Sequence, residues 1–137
     1  YYEPFFGPFR KRNPVYQSRI LWGKEMPKDA IVINKALADL GQVELELIQP
    51  LTEGTHWMEH LKKNGEGIDH LGFHVEDLEV EQEKMVKKGF KVVYTSLVNH
   101  PSGSLGKATY FQTNKVGGVN FELIEKPSRL FAEPAKQ

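Results

Sequence analysis

The chain contains no cysteine, which excludes disulfides, thiolate-bound metal and thiol chemistry, and fits a reducing compartment. It has no surplus of charge either. Lys and Arg number 18 and Asp and Glu number 18, so the formal net charge is zero and no global field draws it to nucleic acid or an anionic membrane. No apolar run nears the roughly 20 residues that cross a bilayer, and no signal peptide opens the sequence. A cytoplasmic protein is expected. The chain starts at Tyr1 rather than methionine, and the expectation is of a longer chain with residues upstream.

What is present is ordinary for a globular domain: 137 residues, 39% hydrophobic and 26% charged, enough for one domain with its own core. Residues 1–9 are aromatic but broken by Pro4, Gly7 and Pro8, so they predict the tail of a helix running into a turn. An aromatic platform for single-stranded nucleic acid would need a basic groove that is missing here. Arg10 to Trp22 predicts a strand, Gly23 to Asp29 a turn, and Ala30 to Leu40 a strand or extended piece. Gln42 to Gln49 alternates cleanly and predicts a strand stopped at Pro50. Thr55 is placed to N-cap a helix to Lys63, with Trp57, Met58 and Leu61 inward and Gly65 past its end. Asp77 caps a second helix to Lys88, with Leu78, Met85 and Val86 as its inner stripe. Strands follow at Phe90 to Leu97, Lys107 to Thr113 and Val119 to Glu125, with a loop from His100 to Gly106 and a tail from Pro127.

The chemistry-bearing residues sit inside strands. In Ile68 to Val75, alternation sends Ile68, His70, Gly72 and His74 one way and Asp69, Leu71, Phe73 and Val75 the other. Glu44 and Glu46 share the polar face of Gln42 to Ile48, and Glu122 stands among apolar neighbours in Val119 to Ile124. One histidine and two carboxylates, each in its own strand, can converge on one divalent cation, and such an N/O set suits a first-row metal. Taken alone, each carboxylate reads more simply as a solvated residue of a polar face, and His70 as a hydrogen-bonded structural histidine. His56-Trp57-Met58-Glu59-His60 matches the inverted zincin pattern, without an obvious third ligand, so a solvated helix face is the simpler reading. Ser102 to Lys107 spaces its glycines too closely for a phosphate loop.

The second half reads β, α, β, β, β and the first half resembles the same unit lacking its first strand and most of its first helix. Together with Val43 to Pro50, Gly65-Glu66-Gly67-Ile68-Asp69-His70-Leu71 and Phe121 to Pro127, this pattern resembles the vicinal oxygen chelate superfamily of glyoxalases, bleomycin-resistance proteins and extradiol dioxygenases. Methylmalonyl-CoA epimerase and glyoxalase-I-like members look most similar. The resemblance implies an α+β fold of paired βαβββ modules forming a U-shaped metal-binding cup: a single domain over 1–137, with an incomplete N-terminal module at 1–54 and a C-terminal module at 65–127.

It also implies Glu46, His70 and Glu122 as ligands of a divalent ion (Ni, Co, Zn, Mn or Fe), with Glu122 doubling as general base. The family's first-strand ligand has no counterpart here, and neither does the epimerases' second glutamate, since residues 30–39 contain none. The implied activity is a lyase or isomerase that abstracts a proton next to a carbonyl through a metal-stabilised enolate. Its substrate would be a glutathione adduct or an acyl-CoA, and its assembly a homodimer. The alternative is a non-catalytic small-molecule binding protein of the same superfamily. A dioxygenase is disfavoured, since only one histidine accompanies the two carboxylates.

Overall fold

A computed structural model describes residues 1–99 and 103–125. The loop expected from His100 lies partly outside these residues, and the tail from Pro127 wholly so. In chain order the elements are α1 (Glu3–Phe6), β1 (Arg10–Arg12), β2 (Val15–Leu21), β3 (Lys24–Glu25), β4 (Ile33–Leu40), β5 (Val43–Pro50), α2 (His56–Asn64), β6 (His70–Val75), α3 (Leu78–Lys87), β7 (Lys91–Asn99), β8 (Leu105–Gln112) and β9 (Asn120–Glu125). They form two compact units. Tyr1–Pro14 joins Asp29–Glu66, and Val15–Lys28 joins the described residues from Gly67 onward. The fold is α+β with mixed sheets. Among the described residues no helix is long and apolar enough to cross a membrane.

The first unit is built on an antiparallel sheet in the order β1-β4-β5. Eight residue pairs join β4 to β5, from Ile33 opposite Pro50 to Leu40 opposite Val43, and Gly41 at φ +72° makes the turn between them without the Cβ clash another residue would meet there. The Thr55 side chain caps α2 by accepting from the Met58 N–H, and the Gly65 N–H closes the helix on the Leu61 carbonyl. Ile31, Leu37, Ala38 and Trp57 are buried.

The second unit carries six strands in the order β3-β2-β7-β8-β9-β6. Every neighbouring pair is antiparallel except β6 with β9, which run parallel. Asp77 caps α3 by accepting from the Val80 N–H. The core beneath this helix is Leu78, Phe111 and Leu123, with Val75, Met85, Phe90 and Val92 packed against it.

The structure departs from the sequence expectations in five places. The strand expected over Arg10 to Trp22 is two strands in two sheets, because Pro14 has no N–H to offer and restricts Asn13 before it. The turn expected at Gly23 to Asp29 contains the short strand β3, which pairs back on Ile20 and Leu21, so the chain reverses at Trp22 and Gly23. The strand expected from Ile68 starts at His70 and stands last in the strand order. Val86 is 50% exposed; next to Met85 on a helix, it is turned about 100° away from that inward residue. Leu71 and Phe73, expected on the apolar face, are about half exposed, at 47% and 45%. They share their face with the packed Val75, but the helix-covered core includes only Val75.

Candidate metal centre

Strand register brings two of the three expected ligands together. On β9, Glu122 lies opposite Gly72 of β6 and Tyr110 of β8. Directly paired residues share a face, so Glu122 faces the same side as Gly72, and by alternation the same side as His70. The His70 Nε2 stands 3.4 Å from the Glu122 Oε2, with the two side chains only 12% and 11% exposed. Gly72 leaves the space for this. A Cβ at that position would sit 3.3 Å from the Glu122 Oε2 and 3.2 Å from the Ile124 Cδ1.

Asp69 completes the cluster. Strand alternation had turned it away from His70, but β6 begins only at His70, so the pleat does not bind the residue before it. The Asp69 carboxylate Oδ2 lies 3.0 Å from the His70 Nδ1, while its backbone carbonyl accepts from the Asn120 N–H. Its position immediately before a strand histidine was the available signal. The Tyr110 ring meets the imidazole edge-on, with centroids 4.9 Å apart. Tyr94 packs edge-on against Tyr110 in turn, and its hydroxyl accepts from the Nε of the buried Arg19.

Burial alone would push the His70 imidazolium's pKa down. The Asp69 and Glu122 carboxylates on either side more than offset that and raise it to about 9. At neutral pH His70 therefore carries its second proton, between two carboxylates.

Glu46, the third expected ligand, belongs to the first unit. Its carboxylate accepts a hydrogen bond from the Lys35 ammonium at 2.8 Å, in a pair 12% and 21% exposed, and the Lys35 Nζ lies 6.0 Å from the Trp57 ring centroid. Within its unit, Glu46 is thus already neutralised by a cation.

Other candidates do not assemble. His56 is buried and its ring lies 4.0 Å from that of Trp57, while the His60 Nδ1 pairs with the Asn64 amide. Among the described residues, His56, Glu59 and His60 do not form a metal-sized cluster, and the one group that does is Asp77, Glu79 and Glu125. That group is occupied by other partners: the Lys107 ammonium lies 2.7 Å from Glu79 and 3.4 Å from Glu125, and Glu125 accepts from the Leu78 N–H. Lys107, the last residue of the dismissed phosphate-loop pattern, is spent in this contact. His74 is exposed on β6.

The His70 and Glu122 pair fits a divalent ion. Two ligand atoms about 2.1 Å from one cation are separated by about 3.0 Å at a right angle and about 3.4 Å at the tetrahedral angle, and the observed 3.4 Å matches the tetrahedral value. Once His70 loses its proton, two acceptors face each other in a largely buried space. A cation between them removes that conflict.

Comparison with known proteins places the chain in a family. The Glyoxalase/Bleomycin resistance protein/Dioxygenase superfamily matches residues 15–110, more than half of the chain, and the protein belongs to that superfamily. No curated protein sequence matches it. Among solved structures it is similar to methylmalonyl-CoA epimerase from Mycobacterium tuberculosis, at 23% identity and TM-score 0.60, with 94% of this chain and 78% of that one covered. It is also similar to the Streptomyces coelicolor methylmalonyl-CoA epimerase in complex with 2-nitronate-propionyl-CoA, at 21% identity and TM-score 0.62, covering 93% and 85%. A third similar structure is the hypothetical protein BH1468 from Bacillus halodurans C-125, at 20% identity and TM-score 0.57, covering 94% and 80%. At these identities the likeness is one of fold.

Proposed function

We propose that the protein is a metal-dependent lyase or epimerase of the glyoxalase type, which abstracts a proton next to a carbonyl. The observation that carries this reading is the buried convergence of the His70 Nε2 and the Glu122 carboxylate. His70 and Glu122 hold the ion. Glu46 is the third ligand on the strength of the superfamily pattern, and on the same pattern residues 1–54, an incomplete module, and 65–127 are the paired βαβββ modules of a single domain. Bound there, a divalent ion supplies Lewis acidity to a substrate carbonyl and lowers the cost of charge on its oxygen. The Glu122 carboxylate is the base that takes the proton from the neighbouring carbon. His70 fixes one side of the cluster, and Gly72 keeps the space beside the Glu122 oxygen open.

Two of the similar structures are methylmalonyl-CoA epimerases, which supports an acyl-CoA thioester with an acidic α-hydrogen as substrate. A hemithioacetal of glutathione presents the same proton beside a carbonyl-derived oxygen and is the second substrate class. A homodimer is the proposed assembly. The Lys35–Glu46 pair favours a second reading, a small-molecule binding protein of the same superfamily in which the ammonium takes the charge that a metal would otherwise carry.

The deciding experiment is calorimetric titration of the metal-stripped protein with nickel or cobalt, followed by NMR detection of deuterium uptake into methylmalonyl-CoA in heavy water. One ion per chain and α-hydrogen exchange are expected, with exchange falling at least about 10²-fold in Glu122→Gln, the lower end of what a positioned general base contributes. Exchange at the wild-type rate in that variant overturns Glu122 as the base. Tight binding of an intact ligand with neither metal nor exchange establishes the binding-protein reading.

A further inference from the structure

The Asp69 carboxylate beside the His70 Nδ1 has a consequence for the site's chemistry. A neutral imidazole carries one N–H, and which nitrogen holds it is set by the partner of the other. The Asp69 Oδ2 lies 3.0 Å from Nδ1, both side chains are nearly buried at 15% and 12% exposure, and the Asp69 carbonyl is tied to the Asn120 N–H on β9 at 2.9 Å. The residue is therefore anchored at its own backbone, with its carboxylate at the Nδ1 side of the ring. Glu122 lies at the other nitrogen, and the Tyr110 ring limits rotation of the imidazole from the side.

We propose that Asp69 is the positioning residue of this site: it accepts the Nδ1–H of His70, fixes the ring's tautomer and orientation, and leaves the Nε2 lone pair directed beside Glu122. This rests on the reading of His70 as a metal ligand, and it assigns Asp69 a role that neither strand alternation nor the superfamily pattern provides. A carboxylate partner on the distal nitrogen of a ligating histidine raises that ligand's basicity, and its removal costs about 10- to 100-fold in metal affinity.

The test separates the tautomer from the metal. Nitrogen-15 NMR of the metal-free full chain, above the pH at which His70 loses its second proton, reads the tautomer directly. Wild-type protein is expected to show the Nδ1–H form, Asp69→Asn to retain it through its amide oxygen, and Asp69→Ala to revert to the Nε2–H form that free imidazole side chains favour. Cobalt titration of the same three proteins, followed by calorimetry and visible absorption, is expected to show affinity about 10- to 100-fold lower in Asp69→Ala and an intermediate loss in Asp69→Asn. An Nε2–H tautomer in the wild type, or an unchanged tautomer in Asp69→Ala, overturns the positioning role. A wild-type chain that holds the Nδ1–H tautomer but binds no cobalt supports the positioning of the ring and overturns the metal reading beneath it. If Asp69→Ala fails to fold, the isosteric Asp69→Asn still decides: weakened cobalt affinity in that variant supports the proposal, and wild-type cobalt affinity together with a wild-type tautomer overturns it.

Discussion

His70 titrates in an environment that gives the protein's stability a pH dependence with a definite sign. Burial disfavours its charged form, but Asp69 and Glu122 outweigh burial and lift its pKa from 6.5 to about 9. Between those values the folded chain holds a proton that the unfolded chain releases, so stability falls as pH rises. The contribution is fully present below about pH 6.5 and is gone once pH has passed through about 9. Its ceiling is roughly 3 kcal/mol. Urea denaturation of the metal-free protein between about pH 6 and 10 is expected to show this decline, and His70→Gln to flatten it. An equal slope in the variant would assign the proton elsewhere. At this scale the sequence showed His70 and Glu122 as residues of one strand face each. It did not show Asp69, because the rule of alternating faces holds only inside a strand and the start of β6 is set by its pairing with β9.

Helix capping made parts of the elements legible. Thr55 accepts from the Met58 N–H and Asp77 from the Val80 N–H, both as the side-chain chemistry of an N-cap requires. Thr55 is fully buried and also donates its hydroxyl hydrogen to the Thr52 carbonyl, whereas the Asp77 cap bond is exposed. Replacing each with alanine is therefore expected to cost unequally: about 2 kcal/mol for Thr55→Ala and about 1 kcal/mol for Asp77→Ala, the upper end and middle of the range for N-caps. Equilibrium denaturation of the two variants measures this, and equal or reversed costs would show that burial of the Thr55 hydroxyl contributes nothing. The strands were less legible than the helices. Hydrophobic alternation located β5, β8 and β9 to within a residue or two, since each presents one apolar face. It joined β1 to β2 across Pro14, and it could not place β6 at the end of the strand order, because sheet order depends on contacts between residues far apart in the chain, such as Leu71 with Phe121.

For the molecule as a whole, the expected ligand set draws on both compact units: Glu46 lies in the first, and His70 and Glu122 lie in the second. The superfamily pattern named all three, yet register explains only the pair within one sheet, and Glu46 is engaged by Lys35. Mass action distinguishes the two cases. A metal that binds only the folded protein stabilises it by about 2.7 kcal/mol at a free concentration a hundredfold above its dissociation constant, an increase of several degrees in melting temperature for a chain of this size. If Glu46 is a ligand, Glu46→Gln is expected to lose most of this shift while the metal-free melting temperature changes little, because the amide oxygen introduced there still accepts a hydrogen bond from Lys35. If His70 and Glu122 bind the ion without it, the shift survives in Glu46→Gln and disappears in His70→Gln. Thermal scans of the three proteins with nickel, with cobalt and with chelator therefore decide whether the metal depends on one unit or on both.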